Sequence, residues 1–331
     1  MAKKKTIKKS QIKKLKKLPL PILILLLIVA GVYFAYTYVL PYLNYKDNTP
    51  VEYSSSQNEE GFYYYTSAPS TTYYSDANDL VKEALFIELN QIINTGFSPT
   101  RYSDAKEILR EADQSLTDST KVWNIYDGIF VNALWDSTSW HREHVWPNSR
   151  LGMERVTESG RNQASDLHNL RAITPRVNSS RSDRVYTDGT GDYHTTSVGG
   201  FFPGDDHKGD VARIVLYMAV MYKDILTLTD DLELLLDESK HYTPEGARMG
   251  QLTLLLQWHK EDPVDEFERH RNDVIFEAQG NRNPFIDKPE YVHLIWENKT
   301  IEELTKEITE EEPSVFIPKV HSFIKLGWLV S

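Results

Sequence analysis

A carboxylate and an imidazole stand side by side at Glu143 and His144, within Trp140-His141-Arg142-Glu143-His144-Val145-Trp146-Pro147. A hard divalent metal takes carboxylate oxygen. Activation of water near neutral pH takes an imidazole, whose ordinary pKa lies close to 7. Neighbours on a regular strand face opposite ways, so the pair cannot both face a flat groove, but flanks one site if the backbone turns or bulges there. Pro147 favours an irregular end to such a strand. A lone Glu-His pair is common by chance, but two further stretches add to it. One is Ser165-Asp166-Leu167-His168-Asn169-Leu170, in which polar groups are interleaved with Leu. The other is Pro175-Arg176-Val177-Asn178-Ser179-Ser180-Arg181-Ser182-Asp183-Arg184, which offers Asn178 as a second oxygen ligand among arginines. A carboxylate, a histidine, an amide and arginines so close in sequence are the parts of a metal-assisted phosphodiester cleavage site.

Composition narrows the choices. The 331-residue chain is long enough for a membrane anchor and one large domain or two small ones. It has no cysteine, which excludes a disulfide framework, a thiolate zinc site and a cysteine nucleophile. The net charge of −11 hides an asymmetry, because nine lysines fall in the first 17 residues and no acid precedes Asp47. The rest of the chain carries 28 basic against 48 acidic residues. Proteins whose main task is to coat nucleic acid are usually basic. A polyanion must therefore be met here by a local basic patch and a bound cation.

The elements that must position these residues follow a lysine-rich start. Ile22 to Leu40 is almost wholly apolar, and its 19 residues would span roughly 28 Å as a helix, close to a bilayer core. The lysines ahead of it place the amino end in the cytoplasm and the remainder outside. The long apolar run favours a retained anchor over a cleaved signal peptide. Residues 43–75, rich in Tyr, Ser, Thr and Asn, read as a flexible linker. Apolar spacing predicts helices over 76–94 and from Ser103 onward, then a strand pair within 122–134 leading to the Glu-His stretch. Residues 189–204 form a glycine-rich loop, and helices follow from Lys208, over 250–259 and over 264–278. Gly280-Asn281-Arg282-Asn283-Pro284-Phe285 is turn-rich.

Several blocks together resemble the endonuclease I family, nucleases of the ββα-metal or His-Me finger type. They are Trp140 to Ser149, Ser165 to Leu170, Asn178 to Ser182, Lys208-Gly209-Asp210-Val211-Ala212-Arg213, Trp258-His259 with Asp262-Pro263-Val264, and Gln279 to Asp287. The resemblance spans roughly residues 77–296. It implies that Glu143 and Asn178 hold one Mg2+ (or Ca2+ or Mn2+) and that His144 activates the attacking water. It implies Arg161 as the arginine steadying the phosphate, with Arg176 and Arg181 as rivals on the substrate side. Asp166, His168 and Asn169 are expected to brace the site by hydrogen bonds rather than bind the metal. The resemblance also implies products that carry 5′ phosphates. The sequence departs from relatives at His141, commonly Asn; at Asn148, commonly Gln; and at Asp183, commonly Asn, where a carboxylate beside the phosphate path would repel substrate.

The expected fold is α+β: a ββα-metal core embedded in a mostly helical domain, preceded by one transmembrane helix. The expected organisation is a cytoplasmic basic segment (1–19), a signal-anchor helix (20–42), the linker (43–75), the catalytic domain (76–297) and a C-terminal extension of unassigned role (298–331). The expected protein is a monomeric, membrane-anchored extracellular endonuclease acting on DNA, with RNA as a second substrate, and touching the lipid bilayer through its first helix. Two rivals stand beside it. One is a surface nucleic-acid-binding protein with an inactive nuclease fold. The other is a zinc peptidase, for which His141-Arg142-Glu143-His144 falls one residue short of the His-x-x-Glu-His pattern.

Overall fold

The structure is a computed structural model that describes residues 19–34, 51, 53–54, 56–66 and 72–306. Residues 1–18 of the basic segment, 35–42 of the expected span and 307–331 of the extension lie outside it. The chain divides into two compact units, residues 1–48 and residues 49–331. In the first, α1 (Leu20–Phe34) is 15 residues of unbroken apolar sequence. Among the described residues no helix is long and apolar enough to cross a membrane.

Among its described residues, the second unit is a mixed α/β domain of many helices and four separate two-stranded pairs. α2 (Lys82–Asn94) starts later than the apolar spacing predicted, because residues 75–77 form only a single 3-10 turn. α3 (Ala105–Ala112) follows. β1 (Lys121–Trp123) pairs antiparallel with β2 (Phe130–Asn132). β3 (His141–His144) pairs antiparallel with β4 (Leu170–Ile173), and α4 (Pro175–Arg181) leaves directly from β4. Pro175 at the first helical position suits that start, since the N–H it lacks has no helical partner there.

α5 (Lys208–Met221) is the hub, with every residue from Gly209 to Met221 buried. A helix apolar on all sides belongs at a domain centre. α7 (Leu252–Glu261) and α2 pack on it, and α8 (Glu266–Gln279) and the short helices α9 (Pro284–Asp287) and α10 (Glu290–Trp296) close the far side. (β5, His194–Thr195, β6, Phe201–Phe202, β7, Thr227–Thr229, α6, Leu232–Leu236, and β8, Arg248–Gly250, are short excursions between α4 and α7.) Gly209 is required, because a Cβ there would lie 2.0 Å from the Asp262 carbonyl oxygen.

Two apolar clusters build the core. The larger surrounds α5 and includes Val145, Trp146, Ile173 and Val177. The smaller joins Leu109, Val122, Trp140, Leu170, Ala172 and Ile275. The β3–β4 ribbon contributes to both, so the Glu-His stretch is wedged between two packed bodies. Trp140 and Trp146 are both fully buried and serve as scaffold.

The flexible linker expected over residues 43–75 is corrected where it is described. Tyr63 and Tyr74 are fully buried and Tyr65 is 7% exposed. Tyr63 packs against His259 and His293, and its hydroxyl accepts from the Val264 amide at 2.9 Å. Tyr65 bridges Thr305 beside α11 (Ile301–Leu304), so the start of the C-terminal extension is also docked. Polar composition misled here: tyrosine rings bury large area while their hydroxyls find partners. Tyr63→Ala should destabilise the domain by about 3 kcal/mol in urea unfolding. A linker residue would cost almost nothing.

Candidate active site

β3 is regular through its last residue: His141 pairs with Ile173, Arg142 with Ala172, Glu143 with Arg171 and His144 with Leu170. No bulge brings Glu143 and His144 to one face, contrary to one way the pair was expected to work. The pleat instead sends them to opposite walls. His141 and Glu143 face α4, whereas Arg142 and His144 face the loop carrying Tyr102. A strand also separates His141 from His144, which removes the helical geometry a zinc-peptidase pair needs.

On the α4 side, Glu143 is 2% exposed. Tyr126 donates to its Oε1 at 2.9 Å, and the Arg181 Nε lies 3.4 Å from the same oxygen. No described residue donates to Oε2. Burial raises the Glu143 carboxyl to about 7, against the opposing pull of Arg181 and the Tyr126 hydroxyl. Tyr126 holds a positive φ of 74°, costly for a bulky side chain and kept by its fully engaged hydroxyl. That hydroxyl lies 2.6 Å from the Tyr186 hydroxyl.

Asn178 and Arg181 lie three residues apart on α4 and share its inward face. The Asn178 amide nitrogen donates to His141 Nδ1 at 3.1 Å, and no described residue donates to its amide oxygen. The unusual His141 is thus the group that orients the amide. Arg181 is fully buried, with its guanidinium over the Tyr186 ring and donating to the Val145 oxygen at 3.0 Å and to the Arg184 oxygen. Expected on the substrate side, it lies instead beneath Glu143. Two oxygens, Glu143 Oε2 and Asn178 Oδ1, remain unclaimed, and this all-oxygen set suits a hard divalent cation. Among the described residues no group of three His, Asp or Glu could hold a metal.

On the other wall, His144 Nε2 lies 2.8 Å from the Ala164 carbonyl oxygen. A carbonyl only accepts, so Nε2 carries the proton and Nδ1 keeps the lone pair. The Tyr102 ring stacks on the imidazole at 5.2 Å and also carries the Arg142 guanidinium at 3.6 Å. Burial pushes His144 down to about 4, with Arg142 and Arg155 adding to that effect against the Ala164 contact. The imidazole is therefore neutral at physiological pH.

The three bracing residues are all buried. Asn169 holds Trp146 through both its amide atoms, at 2.7 and 3.0 Å, and continues the ribbon by one residue. Asp166 accepts from Gln279, the His168 amide, Tyr217 and Tyr222. His168 Nε2 donates to the Asn281 oxygen at 3.1 Å. The turn 280–285 thereby locks the loop ahead of β4. Asp183 does not stand free beside a phosphate path: it accepts from Ser149 at 3.0 Å and faces His241 at 3.2 Å.

The remaining arginines sit further out. Arg161 is exposed and donates to the Pro99 oxygen at 2.9 Å, and the exposed Arg176 donates to Tyr193 at 2.9 Å. Arg155 is the exposed arginine whose charge reaches His144 and Tyr102. Neither Arg155, Tyr102, Tyr126 nor Tyr186 was singled out by sequence. Each comes from a separate loop and carries no local pattern.

Comparison with known proteins assigns the class. Residues 82–290 match the family profile described as Endonuclease I. The chain belongs to the endonuclease I family, and these features define it as a nuclease and therefore a hydrolase. It is 35% identical to an extracellular ribonuclease of Bacillus amyloliquefaciens over 240 residues, covering 70% of this chain and 80% of the relative. An extracellular ribonuclease of Bacillus subtilis (strain 168) is 34% identical over 239 residues, with coverages of 69% and 80%. An extracellular deoxyribonuclease of Aeromonas hydrophila is 28% identical over 158 residues, covering 45% of this chain and 60% of its own.

Two predictions follow from the packing. His168 is held neutral by burial, well below its ordinary value of 6.5. The unfolded chain therefore takes up more protons below about pH 6.5, so this contribution to stability is present above that pH and is lost as pH falls. His168→Gln keeps a donor for the Asn281 oxygen without a titrating group. It should flatten the loss of unfolding free energy between about pH 7 and pH 5, measured by urea titration at both. The second concerns Ser182, which ends α4 at φ 52° and ψ −130°, a region tolerated mainly by glycine. Ser182→Gly should raise stability by about 1 kcal/mol, read as a higher Tm.

Proposed function

We propose that this protein is a metal-dependent endonuclease that hydrolyses phosphodiester bonds in DNA or RNA and leaves 5′ phosphates. The observation that carries the reading is the division of labour at the end of β3. Glu143 faces α4 with an oxygen unclaimed, and the next residue, His144, has its tautomer set by a backbone carbonyl. The β3–β4–α4 arrangement supports a ββα-metal reading of the core.

Glu143 and Asn178 would hold the Mg2+ (or Ca2+ or Mn2+), which when bound supplies charge to offset the negative phosphoryl and leaving oxygens. At the end of β3, where the two walls would border one phosphate, His144 Nδ1 takes the proton from the attacking water. Tyr102 and the Ala164 oxygen fix the imidazole so that Nδ1 does not rotate away. Arg155, in the role the family resemblance gave to Arg161, offsets charge on the phosphate. Arg161 and Arg176 line the approach of the polyanion.

The relatives' names as ribonucleases and deoxyribonucleases support a nucleic-acid substrate without choosing between the two sugars. The lysine-rich start and the apolar run to Leu40 support a membrane-anchored protein with its catalytic unit outside the cell. The test is plasmid and RNA digestion by the full chain. Cleavage should require a divalent ion and stop on adding EDTA. His144→Ala should lose about 10²- to 10⁴-fold in rate with an unchanged circular dichroism spectrum. Digestion at the parent rate by His144→Ala would refute the reading.

A further inference from the structure

We propose that Arg181 is a built-in counter-ion to Glu143 and makes divalent-cation binding conditional on a bound phosphodiester. The inference rests on the metal site proposed above. Its starting point is a charge count. The buried carboxylate of Glu143 contributes one negative charge and Asn178 contributes none. The guanidinium of Arg181, with no solvent exposure, lies 3.4 Å from Glu143 Oε1. With Glu143 ionised, the site is therefore no more negative than neutral before any cation arrives. Tyr126 and Tyr186 add hydroxyls but no charge.

Among the described residues, Arg181 and Tyr126 are the side chains that act on Glu143. Among the described residues there is no group of three acidic or imidazole ligands. Arg171, opposite Glu143 on β4, is itself balanced by Asp113 and Asp210, each at 3.2 Å. Arg181 cannot swing aside to make room, because its other nitrogens are engaged by the Val145 and Arg184 oxygens.

A divalent ion entering this site brings two charges into a neutral, buried setting beside a fixed guanidinium. Ligand charge count sets the affinity of such oxygen sites, so the ion alone should bind weakly. A phosphodiester brings the missing negative charge. Ion and nucleic acid then raise each other's affinity by the same factor, as linkage requires. The consequence is a site that loads its ion together with its substrate and releases both together.

The test measures Mn2+ binding by electron paramagnetic resonance in the full-length His144→Ala protein, chosen for its slowed cleavage, with and without a thymidine oligonucleotide. A separate titration subtracts Mn2+ held by the oligonucleotide itself. The oligonucleotide should tighten Mn2+ binding by about tenfold or more, and Mn2+ should tighten oligonucleotide binding equally. Adding Arg181→Gln should tighten Mn2+ binding without oligonucleotide and reduce the coupling to about twofold or less, while Arg181→Lys should keep it. Tight Mn2+ binding alone, with no coupling in the His144→Ala protein, overturns the proposal whether or not the Arg181 variants fold. Glu143→Gln separates this failure from that of the site itself. If that variant binds Mn2+ as its parent does, the metal assignment fails. If it loses Mn2+ but its parent shows no coupling, only the counter-ion role fails.

Discussion

The site depends on one geometric constraint: β3 presents consecutive side chains to opposite faces of a narrow ribbon, and both faces are pinned. α4 holds the Glu143 wall through Asn178 and Arg181. Tyr102 and the Ala164 oxygen hold the His144 wall. A carboxylate and an imidazole next to each other in sequence thus stand in different surroundings, separated by the thickness of one backbone. Had the strand bulged, both groups would crowd one environment. Instead Glu143 is pushed up by burial beside a guanidinium, and His144 is pushed down beside cations.

The ribbon is too small to be rigid alone, because an isolated two-stranded pair is marginal in water. Its stiffness comes from the two apolar clusters it joins and from buried ion pairs around it. Arg171 on β4 reaches Asp113 and Asp210, and Arg271 also reaches Asp113, at 2.8 Å. Arg213 on the hub helix grips Glu268 through two nitrogens, at 2.6 and 2.7 Å. Replacing one partner of such a pair leaves a buried charge uncompensated, which typically costs about 3–5 kcal/mol. This network ties β4, α3, α5 and α8 into one support for a seven-residue helix and a four-residue strand.

Much of this was legible in the sequence because it is local. Glu143, His144 and Asn178 stand in short runs whose residue types made them candidates, and the helices from Lys208 onward show their apolar spacing. Asp166, His168 and Asn169 were recognisable as polar groups set between leucines, and all three are buried braces. What was not legible is long-range. Tyr126 and Tyr102 reach the site from loops whose sequence has no periodic signal. Arg181 resembled a substrate arginine because its neighbours are polar, yet the turn of α4 that exposes Arg176 buries Arg181. Tyr63 and Tyr74 lay in a stretch that composition marks as linker, and only the α7–α10 surface gives them a place to pack.

The central claim is that the backbone fixes His144 as a neutral imidazole with its lone pair on Nδ1. Nitrogen-15 NMR of histidine-labelled protein tests it directly, with the resonance assigned by its loss in His144→Gln. The account predicts a ring protonated at Nε2 and bare at Nδ1 at both pH 7 and pH 5. A proton on Nδ1 at pH 7, or a ring that becomes cationic near its ordinary pKa of about 6.5, would contradict it.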